Sequence, residues 1–190
     1  MPTTSQRSAR RLTYEDFVRI PDDGKRHEII DGVHYVTPSP AFRHQQLLGR
    51  LHVAIFIFLE QHPEIGQVLL SPLDTVFSPF DVVEPDLLFI AADQPEIVTE
   101  PNIQGAPALV IEILSPSTRR RDQGIKRQLF DRGGVREYWL VDPKGHDLTI
   151  YRRTADGGFP KVAQLSAADE ATVVTPLLPG FALSLVKLFA

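Results

Sequence analysis

The sequence predicts an α/β domain, a mixed central β-sheet flanked by helices with an N-terminal β-hairpin. Three observations carry that expectation. Apolar runs of strand length alternate with stretches of helical spacing along 190 residues, a length usual for one domain. The run 108–114 is apolar at successive positions, as in a strand covered on both faces, and a helix-like stretch and a second strand follow it, which makes a crossover unit. Hairpins on either side of that unit make the sheet mixed rather than purely parallel.

From the N-terminus, residues 1–11 hold Arg7, Arg10 and Arg11 and no acid, and no hydrophobic stretch follows. This is not a secretory pattern; a disordered tail is expected ahead of a single domain over 12–190. Thr13 is placed to cap a short helix, with Asp16 at its third position. Pro21-Asp22-Asp23-Gly24 is a turn. Residues 27–30 and 33–36 read as strands of a hairpin around Asp31-Gly32. Pro38-Ser39-Pro40 ends it, and a long helix is expected over 41–61. Leu47, Leu51, Ile55, Phe58 and Leu59 share one face of that helix, and Val53, Phe56 and Ile57 are apolar on others. Such a helix needs cover on more than one side, from the sheet and another element or from a second subunit, which points to a homodimer.

Strands are expected at 67–70 and 73–77, joined at Ser71-Pro72, and at 82–90. Pro85 places that last strand at an edge or marks a strand start, because proline donates no ladder hydrogen bond. Residues 94–105 read as a loop or short helix. After the 108–114 strand, Ser115-Pro116 or Ser117 opens a helix that runs to about Asp131 and stops at Gly133-Gly134. Residues 136–142 and 148–152 form an antiparallel pair. Weaker strands are expected at 159–165 and 172–174, and 183–189 is a strand or a final helical turn.

Composition removes several classes of function. With 43% hydrophobic and 23% charged residues the chain is an ordinary globular one. It has no cysteine, so disulfides and thiolate metal sites are excluded, and a reducing, cytoplasmic setting is expected. No apolar run approaches about 18 residues, so no membrane span is expected. A net charge of −4 argues against a nucleic-acid binder that is basic all over, while leaving room for a local basic groove. There is no phosphate-cradling glycine loop, zinc-ligand spacing or nucleophile elbow, and Ser117 has no recognisable partner base.

The charged residue that stands out is Glu112, alone among apolar neighbours in a buried strand, where a charge costs several kcal/mol unless paired or coordinated. An arginine partner would account for it structurally. Asp86, just after Pro85, is a second acid at the inside of a sheet, or else only a strand-start residue. If the two strands are neighbours, two carboxylates converge, and a hard divalent cation such as Mg²⁺ relieves their repulsion. Lys126 follows Asp122 by four residues, which on a solvated helix is a weak ion pair; its place near the Ile125–Leu129 face lets it reach toward the sheet instead. Arg119, Arg120, Arg121, Arg127 and Arg132 crowd the same segment, as a solvated helix surface or as a phosphate-contacting patch. Glu28 lies in the hairpin and His44 opens the long helix, where a structural hydrogen bond is its ordinary use. Tyr138 and Trp139 are expected in the core.

Several ordered pieces together carry a resemblance. They are Arg26-His27-Glu28-Ile29-Ile30-Asp31-Gly32, Ser39-Pro40 with His44, Val83-Glu84-Pro85-Asp86-Leu87, the run from Val110 through Glu112 to Thr118, Asp122 with Lys126, and the run from Gly134 through Trp139 to Pro143. Over residues 12–151, with a tail through Leu178-Pro179-Gly180-Phe181, the chain resembles the Uma-type putative restriction endonuclease family. The resemblance implies a restriction-endonuclease-like, PD-(D/E)XK fold in which an Asp and a Glu on neighbouring strands hold one or two divalent metals. Asp86 matches the first acid and Glu112 the second. The lysine usual two residues later is here Leu114, a departure, and Lys126 on the following helix is the candidate replacement. Glu28 resembles an additional acid from the N-terminal region.

The function implied is a Mg²⁺- (or Mn²⁺-) dependent endonuclease acting on DNA. Asp86, Glu112 and the Ile113 carbonyl are the expected metal ligands, Lys126 and Glu28 complete the catalytic set, His44 and Asp122 support it, and Arg119, Arg120, Arg121 and Arg127 hold the nucleic acid. The rivals are a non-catalytic dimeric nucleic-acid-binding or interaction module that keeps the fold, and a metal-dependent hydrolase of another phosphoester.

Overall fold

The computed structural model describes residues 10–190. In chain order its elements are α1 (Tyr14–Phe17), β1 (Arg26–Ile30), β2 (Val33–Thr37), α2 (Phe42–Glu60), β3 (Gly66–Leu70), β4 (Thr75–Ser78), β5 (Asp81–Val83), β6 (Leu87–Ala91), a 3₁₀ turn Pro95–Ile97, β7 (Ile103–Gln104), β8 (Leu109–Ile113), α3 (Arg119–Arg121), a π-turn Asp122–Lys126, α4 (Arg127–Gly133), β9 (Glu137–Asp142), β10 (Asp147–Arg152), β11 (Lys161–Ser166), β12 (Thr172–Val173), β13 (Leu183–Ser184) and α5 (Leu185–Phe189).

Two sheets share the work. The first has the order β2-β1-β5-β4-β7 and the second β11-β10-β9-β8-β6-β3, with a small β12-β13 pair beside them. Both main sheets are mixed: β4 runs parallel to β7 and β8 parallel to β9, and the other pairings are antiparallel. The parallel β8–β9 pair is bridged by the helical stretch 119–133, the expected crossover.

Alternation along the strands sorts side chains into two cores. Leu109, Ile111 and Ile113 of β8 and Trp139 and Val141 of β9 face α2, where Leu47, Leu51 and Ile55 close the layer together with Leu185 and Leu188 of α5. Val110 and Leu114 face the other way with Tyr138 and Leu140, against Leu129 and Phe130 of α4 and against Ile30 and Val83 of the first sheet. A smaller cluster, Leu88, Ile90, Ile97 and Ile103, extends that second layer beneath β7.

Local chemistry explains the boundaries. Asp31 (φ 53°) and Gly32 (φ 77°) both take the left-handed conformation that a two-residue hairpin turn demands, and β1 and β2 pair in register across it. Thr13 and Asp16 cap α1 reciprocally. Ser115 Oγ accepts from the Thr118 amide at the start of the 119–133 helix, and Gly134 (φ 94°) ends it in a left-handed cap.

Three expectations are corrected. The strand expected over 82–90 is two strands: β5 ends in the first sheet, Glu84-Pro85-Asp86 crosses over, and β6 begins in the second between β3 and β8. Pro85 therefore marks a strand start, and that strand is interior. The strands expected on either side of Ser71-Pro72 are consecutive in sequence but lie in different sheets. The 183–189 segment is both a strand and a helix. The tail expected over 1–11 lies outside the described residues as far as residue 9. Arg11 Nε already donates to the Asp31 carbonyl (3.1 Å) and Leu12 N to the Gly32 carbonyl (2.9 Å).

Candidate active site

The two acids meet because of sheet register. Leu87 of β6 pairs with Ile111 of β8 in an antiparallel ladder. Carried back one residue, that register sets Asp86 opposite Glu112, and directly opposed residues share a face. The face is the one toward the first sheet, at the point where the chain crosses between sheets. Glu28 of β1 reaches the same place from the first sheet; its Oε1 accepts from the Glu84 amide (3.2 Å), which ties the crossover to the hairpin. All three carboxylates are buried.

The fourth member arrives from the helix. Lys126 is 1% exposed, and its Nζ donates to Glu28 Oε1 (2.8 Å) and pairs with Glu112. Asp122, one π-turn earlier, is equally buried. Asp122, Lys126, Leu129 and Phe130 follow the i, i+4, i+7, i+8 spacing of one helix face, and all four are buried, while Ile125 is only half-buried. The Asp122 carbonyl accepts from the buried Tyr138 hydroxyl (3.1 Å).

Asp86 is held by three donors. Arg26 Nη1 donates to its Oδ1 (2.7 Å); His44 Nε2 (3.0 Å) and the Ile113 amide (2.9 Å) engage its Oδ2. Burial alone would raise its pKa, but the His44 hydrogen bond and the Arg26 guanidinium outweigh that and hold Asp86 well below the usual carboxylate range. Burial likewise works against ionisation of Glu28, and Lys126 with Arg121 overcomes it, so Glu28 stays ionised. Glu112 goes the other way. Burial pushes its carboxyl well above the ordinary value, Lys126 relieves this only in part, and Asp86, Asp122 and Glu28 push it further up. Lys126 is itself held charged by Glu112, Glu28 and Asp122 against the cost of its burial.

A cavity of about 140 Å³ opens onto this cluster, lined among others by Arg26, His44, Asp86, Glu112, Ser117, Arg121, Asp122 and Lys126. Of the four arginines expected to hold nucleic acid, only Arg121 gathers there. Arg121 turns inward, to Thr37 Oγ1 (2.5 Å) and to within 3.4 Å of Glu28 Oε2, over the Tyr35 ring. Arg119 pairs with Asp142 (2.7 Å), Arg127 lies over Tyr151, and Arg120 is exposed. The four arginines expected as one nucleic-acid patch thus split, because successive residues point around the helix rather than along one side. Arg132 binds Asp31 and Asp81 instead.

Sequence reasoning missed the inward roles of Arg26 and Arg121 and the place of Glu84. Arg26 and Glu28 stand two residues apart on β1, so strand alternation puts them on one face. That spacing signals the face, but not the partner Asp86, which is 60 residues away in the chain.

The donor set fits a divalent cation. Four acids, Glu28, Asp86, Glu112 and Asp122, surround Arg26, Arg121, Lys126 and His44, and Asp122 Oδ2 is buried without a hydrogen-bond partner. Burial, and then the neighbouring acids Asp86, Asp122 and Glu28, work against ionisation of Glu112, and a bound cation would offset both. Among the described residues no three His, Asp or Glu side chains converge on a single point, so backbone oxygen and water would complete any coordination. In a strand the N–H and C=O of one residue point to the same side. The Ile113 carbonyl therefore faces the side from which its amide reaches Asp86.

Mixed sheets flanked by helices define an α/β protein, with an Asp and a Glu opposed at its strand crossover and a buried lysine between acids. A solved structure described as a "putative nuclease belonging to DUF820" from Anabaena variabilis ATCC 29413 superposes with a TM-score of 0.78 and 21% sequence identity, covering 94% of this chain and 97% of that one. The chain belongs to the Uma2 family, described as "Putative restriction endonuclease", whose model matches residues 14–186. No curated protein matches it. No helix is long and apolar enough to cross a membrane among the described residues.

Proposed function

We propose that the chain is a divalent-metal-dependent endonuclease that hydrolyses phosphodiester bonds in DNA, with Mg²⁺ or Mn²⁺ held by Asp86, Glu112 and the Ile113 carbonyl. The observation that supports the reading is the opposed Asp86–Glu112 pair, buried together with Lys126 at the mouth of one cavity. A hard cation bound there supplies Lewis acidity to the phosphoryl oxygen and acidity to a coordinated water.

The chain's own groups do the rest. Lys126, held charged, is an electrostatic partner for the phosphate and an orienting donor for the attacking water, and is not a proton acceptor. Glu28 fixes Lys126, and His44 fixes Asp86. Arg26 and Arg121 line the cavity and are the candidates to face the scissile phosphate, while Arg119, Arg120 and Arg127, which lie outside it, are the candidates to contact the flanking backbone. The outer face of α2, apolar and uncovered, is proposed as the contact of a homodimer.

The test is plasmid cleavage in Mg²⁺ or Mn²⁺. Wild type is expected to cut, and Asp86→Ala and Glu112→Ala are each expected to lose cutting by a factor of about 100 or more. Equal cleavage by the variants overturns the assignment. A second reading has one observation in its favour. Both oxygens of Asp86 are already engaged by Arg26, His44 and Ile113, which a non-catalytic nucleic-acid-binding module would need no metal to maintain. It predicts DNA retention that is indifferent to chelation, with no cleavage in any metal. Cleavage of RNA or of small phosphodiesters in preference to DNA would instead reassign the substrate.

A further inference from the structure

Two cavities meet at Asp86. The one already described holds Glu112, Arg121 and Lys126; a second, of about 190 Å³, lies against Gln45, Leu48, Ser71 and Pro72. Arg26, Pro40, His44 and Asp86 line both, so the cavities adjoin at the acid itself. Each alone is smaller than the roughly 300–1,000 Å³ of an ordinary ligand pocket.

Their chemistry differs. The first gathers Arg26, Arg121 and Lys126, which are partners for a phosphate. None of the four residues that belong to the second alone is charged. Gln45 offers an amide, Ser71 a hydroxyl, and Leu48 and Pro72 apolar faces. That set suits the sugar and uncharged base next to a phosphate, and not another phosphate.

The floor is buried and the rim is exposed. Asp86 and Glu112 are 1% and 3% exposed, whereas Pro38, Ser39 and Pro40 after the hairpin, and Pro116 and Ser117 after β8, are exposed cavity residues. A phosphate that reaches the acids must pass between them. A DNA duplex is stiff over about 150 base pairs and keeps its bases stacked and paired. Seating one base in the second cavity would first require unpairing and unstacking it, and an unpaired strand bears neither cost. The chain also offers little broad basic surface to hold a duplex: Arg132, Arg136, Arg152 and Arg153 are each paired with an acid, and the net charge is −4.

We propose that the paired cavities form a slot for unpaired DNA, with the scissile phosphodiester in the first and the sugar and base of the adjoining nucleotide in the second. Gln45 and Ser71 meet the edge of that base, and Leu48 with Pro72 its face. The identity of the ligand rests on the nuclease reading. Negative supercoiling opens short unpaired stretches, so a supercoiled plasmid remains a substrate.

The test uses one labelled oligonucleotide in three forms: alone, fully paired with its complement, and paired except for a central unpaired loop. Cleavage is followed in Mg²⁺ or Mn²⁺, and binding by fluorescence anisotropy in Ca²⁺. The single strand and the looped duplex are expected to be cut, and bound, about tenfold or more better than the full duplex. Gln45→Ala, at an exposed position on the first turn of α2, is expected to weaken single-strand binding about threefold and leave duplex binding as it was. Cleavage of the full duplex as fast as the single strand overturns the slot and leaves the nuclease reading standing. If no form is cut in either metal, the nuclease reading falls and binding decides the slot: tighter binding of the single strand supports it, and equal, weaker or absent binding overturns it.

Discussion

Lys126 stands four residues after Asp122, a spacing that on an exposed helix means an ion pair worth a few tenths of a kcal/mol. Its burial between Glu28 and Glu112 changes the scale of the effect. Lys126→Ala takes from buried Glu28 and Glu112 the cation they share and leaves only Arg121 beside Glu28, and such removals cost about 3–5 kcal/mol. Urea denaturation in a chelator should show a loss of that size; a loss below about 1 kcal/mol would mean that water reaches the cluster. Glu84, at the crossover, makes a pH-dependent case. Burial, with Asp74 and Glu28 adding to it, raises its pKa from 4.5 to about 7. A carboxyl raised in the folded state favours folding while protonated, and that contribution is lost as pH climbs from about 4.5 to about 7. Glu84→Gln keeps the neutral form, so its stability relative to wild type should be unchanged near pH 4 and greater by on the order of 2–3 kcal/mol at pH 8. Thermal unfolding at the two pH values in chelator checks this, and an equal effect at both contradicts it. Of these residues Glu112 was legible in the sequence, because one charge in an apolar strand has few explanations. Arg121 was not, because which way an arginine on a helix turns is decided by acids far away in the chain, and for Arg26 alternation with Glu28 indicates the face but not the partner Asp86.

Elements defined by local chemistry were read correctly: the Asp31-Gly32 hairpin, the long helix, the β8 strand and its glycine-terminated crossover helix all depend on residues within one turn or one alternation of each other. The two features that build the site are not local. The exchange of sheets at Glu84-Pro85-Asp86 looks like one interrupted strand, since both halves are apolar and only tertiary pairing separates them. The π-turn has no sequence mark beyond Gly124: Asp122, Lys126, Leu129 and Phe130 stand at the spacing of an ordinary α-helix face, which gives no reason to expect an expanded turn. Tyr138 takes the Asp122 carbonyl within that turn, so its hydroxyl helps hold the turn that aims Lys126. Tyr138→Phe should cost only about 1–2 kcal/mol of stability. Its nuclease turnover should fall further than that loss explains, with substrate affinity little altered. Stability and cleavage rate measured on one preparation decide it, and a variant that cuts like wild type would show that the hydroxyl supports packing alone.

At the scale of the whole molecule the open question is the outer face of α2. The sheet covers one side of that helix and α5 another, where Arg43 and Arg50 donate to the last carbonyls of the chain. The third side is bare: Phe42 is 81% exposed, Val53 53%, Phe56 45% and Ile57 54%. From Phe42 to Ile57 the exposed positions carry no formal charge. They also have an internal symmetry. Phe42 and Phe56 lie seven residues either side of Gly49, with Gln45 and Val53 four residues either side. A second copy crossing antiparallel at Gly49 therefore sets Phe42 against Phe56 and Gln45 against Val53 in both directions, as a two-fold contact requires. A Cβ built on Gly49 meets nothing within 4 Å, so nothing of its own chain blocks the approach there, and a groove lined by Gly49, Val53, Ala54, Leu183 and Leu188 continues the apolar surface toward α5. Light scattering at micromolar concentration should give twice the chain mass for wild type. Val53→Glu combined with Phe56→Glu places like charges close to the seam and should return the monomer mass, with unchanged circular dichroism because neither side chain supports the core. A wild-type monomer, or a dimer indifferent to both substitutions, would leave α2 as a bare face and move any subunit contact elsewhere.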